Sequence, residues 1–106
     1  MKAIPFFPDA HLAKTAHLSL AEEGAFFRLV MHAWMSKGCC LPNDERRLAR
    51  IARATPGEWK KVRAAVMELW QLEDNRWIQP RLLKEWLYVQ EKSMKAQNSA
   101  HHRWDR

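Results

Sequence analysis

The chain has 106 residues, 47% hydrophobic and 28% charged, which suits one soluble domain built on a single core. No run approaches the roughly 18 apolar residues of a membrane span, and residues 1–5 lack the apolar stretch of a signal peptide, so a cytoplasmic location without membrane contact is expected. The net charge of +6 is concentrated in residues 43–70 and 81–106, a distribution that points to a polyanion.

Residues 8–14 read as a short first helix. Ser19 is followed three residues later by Glu22, with Leu18 in front, and this capping box starts a helix over residues 20–36 that Gly38 ends. Its polar stripe is narrow: Ala21, Ala25, Arg28, His32 and Ser36. The remainder is apolar, as expected of a central helix surrounded by other elements. Cys39-Cys40-Leu41-Pro42 reads as a short extended piece. Asn43 or Asp44 then caps a helix to about residue 53, with Leu48, Ile51 and Ala52 inward and Arg46, Arg50 and Arg53 in one outward stripe.

Thr55-Pro56-Gly57-Glu58 is a second capping box with proline at the first helical position. It opens a helix to about residue 70. Trp59, Val62, Val66, Leu69 and Trp70 share one face; Lys60, Arg63, Ala64 and Met67 lie on another, with Lys61 beside it. The period then changes. Apolar residues flank Asp74-Asn75, and both residues tolerate the left-handed backbone of a tight hairpin turn. Pro80 opens a last helix whose stripe of Leu82, Leu83, Trp86, Leu87 and Val89 fades from Gln90. The expected organisation is a domain over residues 1–95 and a polar, flexible tail over 96–106.

This order implies a mainly α fold, a winged helix-turn-helix with a small β-hairpin wing and a C-terminal helix. The strand near Cys40 and Leu41 would pair with the hairpin. In such a fold the helix after the turn, residues 56–70, enters the major groove of double-stranded DNA and the helix before it crosses the backbone. Arg46, Arg50 and Arg53 are candidate phosphate donors. Backbone N–H groups around Thr55 would add a phosphate contact. Lys60, Lys61 and Arg63 would face base edges, and Arg76 would act from the wing. Against this stand Glu58 at the helix start and the acidic Glu73 and Asp74 of the wing. The competing reading is a solvated basic face on a module that docks onto proteins.

An enzyme is not expected. The sequence has no glycine-rich phosphate loop, and Glu22 and Glu23 are helix neighbours that diverge. His11 and His17 have no evident nucleophile, and His101-His102 fall in the polar tail. Cys39 and Cys40 are adjacent, which suits neither a structural disulfide nor a zinc site; two reduced thiols and no cofactor are expected. Trp34, Trp59, Trp70, Trp77 and Trp86 lie on apolar faces and read as core, Trp34 and Trp59 between the central and reading helices.

The segment Thr15-Ala16-His17-Leu18-Ser19-Leu20-Ala21-Glu22-Glu23-Gly24-Ala25-Phe26 closely resembles the signature of the prophage YdaU-like family, a domain of unknown function. Leu41-Pro42-Asn43-Asp44, Glu58-Trp59 and Ile78-Gln79-Pro80-Arg81-Leu82 fall where that family has similar segments. The resemblance covers about residues 4–95. It implies a phage or prophage protein linked to DNA replication initiation or its control, similar to the N-terminal winged-helix part of phage replication initiators, with replication proteins as further partners. It carries over no catalytic residues. Cys39-Cys40 departs from the family's usual glycine or polar pair, and the tail is short.

Overall fold

Capping sets the helical frame. The computed structural model describes the backbone of residues 3–104 and side chains as far as residue 92. Helix α1 (Pro8–Thr15) is followed by α2 (Leu20–Met35), where Ser19 and Glu22 form the reciprocal capping box. Strand β1 (Leu41–Pro42) leads into α3 (Glu45–Ile51), and α4 (Pro56–Met67) follows behind the Thr55–Glu58 capping box. Strands β2 (Gln71–Glu73) and β3 (Arg76–Ile78) precede the long α5 (Pro80–Trp104).

The fold is therefore mainly helical, with one three-stranded antiparallel sheet in the order β1-β3-β2. The hairpin turns at Asp74 and Asn75, both with positive φ (50° and 61°), the geometry that suits the twist of paired strands. Leu41 pairs with Trp77 and Leu72 with Trp77 from the other side. Asn43 ties this corner together: its amide donates to Asn75, and its carbonyl accepts from the Trp77 indole.

The core forms where α2 lies on α4 and α3. Phe26, Leu29, Leu48, Trp59, Val66 and Trp70 are buried in one cluster, and Phe26 meets Trp70 edge-on with centroids 6.3 Å apart. Leu29, Leu41, Leu48 and Val66 are wholly enclosed. Gln79, also buried, accepts from the Leu82 backbone N–H at the first turn of α5.

Several sequence expectations shift. Helix α3 stops at Ile51, two residues short of Arg53, because Arg53 adopts the left-handed conformation (φ 57°). Helix α4 stops at Met67; the next N–H groups bond three residues back, Leu69 to Val66 and Trp70 to Met67, and this tighter winding turns Trp70 into the core. Ala25 and Met67, assigned to polar or outward stripes, are buried. An alanine adds little to a hydrophobic pattern, and Met67 sits at a helix end where the regular period breaks. Trp34 is buried outside the main cluster, one step round the helix from Ala33. Trp77 and Trp86 are only half-buried. The backbone of α5 runs as helix across residues 95 and 96 to Trp104; the side chains of His101 and His102 lie outside the described residues.

Candidate nucleic-acid interface

The segment α3–turn–α4 is held by local hydrogen bonds. The Asp44 carboxylate accepts the Arg46 and Arg47 backbone N–H groups, as an N-cap does. At the other end, Ala54 N–H reaches Ala49 C=O and Arg53 N–H reaches Arg50 C=O. This double closure normally places glycine at the left-handed position. Here the residue is an exposed arginine, and the strain of a positive φ is carried by Arg53.

Between the two helices lies a groove of about 540 Å³. Arg46 and Arg50 of α3 and Lys60 and Arg63 of α4 line it, over a floor that includes Ala49 and Trp59. Arg46, Arg50 and Lys60 are exposed and make no ion pair with another described residue. Arg63 differs. Its guanidinium is bonded to the Glu45 carboxylate, which also accepts the Trp59 indole N–H at 3.0 Å. Glu45 thus joins the first turn of α3 to the face of α4 and neutralises one of the expected cations.

Around Thr55, where a phosphate contact is expected, the capping box takes up two of the backbone N–H groups. The Thr55 hydroxyl accepts the Glu58 N–H, and the Thr55 N–H is taken by the Glu58 carboxylate. The Thr55 backbone N–H, and then its hydroxyl, hold the Glu58 carboxyl below the usual carboxylate range. A fixed negative charge therefore sits at the start of α4. Arg53, Lys61 and Arg76 are exposed but do not line the groove; Arg76 stands on β3 opposite Pro42 and Glu73. Arg47, absent from the expected stripe, is exposed on α3 as well.

The thiols of Cys39 and Cys40 are free, Cys39 buried and Cys40 half-buried. Among the described residues, no three His, Cys, Asp or Glu side chains gather closely enough to hold a metal ion. No described helix is long and apolar enough to cross a membrane.

These features define a small, mainly helical domain with a three-stranded sheet and a cation-lined groove across a helix–turn–helix. The chain belongs to the family described as "Protein of unknown function (DUF1376)", whose model matches residues 4–86. It is 32% identical over 98 residues to the uncharacterized protein YdaU of Escherichia coli (strain K12), a match covering 90% of this chain and 33% of the relative. The YdaU-like resemblance carried by residues 15–26 is thereby established. The chain spans about a third of the length of that curated relative. No solved structure matches it.

Proposed function

We propose that this chain is a winged-helix module that binds duplex DNA, with α4 as the reading helix and the β2–β3 hairpin as the wing. The observation that carries the reading is the set of three cations, Arg46, Arg50 and Lys60, that form no ion pair with another described residue and gather on one groove across the helix–turn–helix. With no carboxylate partner among the described residues they are available to phosphates, to which charge-assisted bonds are strong. Arg53 adds support. A non-glycine residue held at positive φ in the turn, with its guanidinium exposed, is the kind of local strain that functional contacts sustain. The role in phage replication or its control comes from family resemblance and belongs to the same proposal, as does the absence of catalysis. Localisation follows as cytoplasmic, with DNA.

Fluorescence anisotropy on mixed duplexes across a salt series tests it. With about four cations on phosphates, log affinity falls against log salt with a slope near −3.6. Arg46→Ala with Arg50→Ala flattens that slope by about 2 for all sequences, whereas Lys60→Ala changes the preference among sequences. Absence of binding at low salt refutes the proposal. The second reading, a module that docks onto replication or host proteins, draws on Glu58: a carboxylate held ionised beside the first turn of α4 repels phosphate.

A further inference from the structure

A second hollow, separate from the basic groove, opens between the N-terminal segment, α1, α2 and α5. Its volume is about 160 Å³. An apolar cavity near 150 Å³ accepts one benzene-sized ring, whereas drug-sized ligands need roughly 300 Å³ or more. Phe26, Phe27, Val30 and Leu82 contribute its apolar surface. The apolar surface continues outside: Phe6, Phe7 and Phe27 are 54%, 49% and 38% exposed, and all three line the hollow, so the bare aromatic surface is grouped at its mouth.

Two cations line the same hollow, Lys14 from the last turn of α1 and Arg81 from the first turn of α5. Neither forms an ion pair with another described residue. Partial burial, and then the neighbouring Arg81, lower the Lys14 pKa from its ordinary value. The two like charges are thus close enough to oppose each other beside an apolar surface, and one anion between them relieves that cost. Glu85 lines the hollow too, and His11 there is bonded to Glu23 at 3.1 Å. Glu85 offsets part of this positive charge, which disfavours a polyanion and leaves Lys14 and Arg81 in excess by one charge, enough for a single acidic group.

We propose that this hollow docks an acidic peptide segment of a partner protein, one aromatic side chain entering the apolar surface and an adjacent carboxylate lying between Lys14 and Arg81. Nucleic acid fits less well. Phe6, His11 and Phe27 pack against one another at interplanar angles of 51° to 86°, so they form no parallel platform for successive bases.

The probe is a short peptide with one Phe flanked by Asp, titrated into the isotopically labelled chain and followed by amide chemical shifts. At about 5 mM peptide, any affinity tighter than a few millimolar registers. Saturable shifts at residues 14, 27 and 81 are expected. A peptide with Phe replaced by Ala, or with Asp replaced by Asn, binds about tenfold more weakly. Lys14→Glu with Arg81→Glu loses about tenfold for the acidic peptide and gains for one with Lys in place of Asp. Phe27→Ser, an exposed site, loses binding without loss of fold, checked by the melting curve. Arg46→Ala with Arg50→Ala leaves peptide binding intact, which separates this site from the DNA surface. The proposal is overturned by an absence of saturable shifts or by equal binding of the Asn peptide. It is also overturned if oligothymidylate shifts the same amides in preference to the peptide, or if the chain dimerises through a contact that Phe27→Ser abolishes.

Discussion

Replacing Glu45 by Gln should make the chain bind DNA more tightly. In the folded chain Glu45 holds the Arg63 guanidinium while accepting the Trp59 indole. The amide oxygen of Glu45→Gln still accepts from Trp59 but no longer neutralises Arg63, so the groove lining gains one unit of positive charge. If the released guanidinium meets a phosphate, the salt slope steepens by about 0.9, and at 0.1 M salt that corresponds to about eightfold higher affinity. The cost to the fold is small, because both partners are substantially exposed, at 41% and 47%; the lost pair and the weakened first-turn charge amount to about 1 kcal/mol. Anisotropy titrations of wild type and variant at several salt concentrations measure both numbers. An unchanged slope together with unchanged affinity and sequence preference would mean that Arg63 does not face the nucleic acid, and the placement of α4 in the major groove would then be wrong.

Three further outcomes are expected. Trp59→Ala should cost about 3–5 kcal/mol in urea unfolding, as emptying a buried aromatic site does, whereas Trp59→Phe should cost only about 1–2, mainly the lost bond to Glu45; an unchanged midpoint for the alanine variant would remove Trp59 from the core. Arg53→Gly should raise stability by about 1 kcal/mol by relieving the left-handed backbone and at the same time flatten the DNA salt slope by about 0.9; a loss of stability would show that the guanidinium supports the turn. Burial, reinforced by Cys40, pushes the Cys39 thiol from 9.0 up to about 12. Ionisation of the unfolded chain therefore lowers stability as pH rises from 9 toward 12, and Cys39→Ala should flatten that decline in melting temperature; alkylation at pH 8 should modify Cys40 well before Cys39.

Elements marked by local chemistry were legible from the residues alone. Ser19 with Glu22, Thr55 with Glu58, and the Asp74-Asn75 turn each carry their signal within four residues, and each stands in the structure as read. The pairing of a short strand near Leu41 with the hairpin was also anticipated, since a short extended piece before the helix pair needs a strand to complete it; its register, Leu41 opposite Trp77, comes from the structure. What escaped depends on distance along the chain. Glu45 and Trp59 meet across 14 positions, and no periodicity within one helix reports a bond between two. The same holds for the joint contribution of Lys14 and Arg81 to one hollow. At Thr55 the local signal has a second side: a capping box that marks a helix start also takes up two N–H groups, those of Thr55 and Glu58, that a phosphate would otherwise meet.

The small sheet has a consequence for how the protein behaves at high concentration. Edge strands are templates onto which other chains can add, and natural proteins blunt them by shortening, proline and charge. Here β1 is two residues long and one of them is Pro42, which has no backbone N–H to donate. The opposite edge, β2, is three exposed residues ending in Glu73. Neither rim can seed an extended intermolecular ladder. The hairpin can project toward a ligand while the protein remains resistant to strand-mediated aggregation, and Pro42→Val together with Glu73→Val should bring that aggregation back.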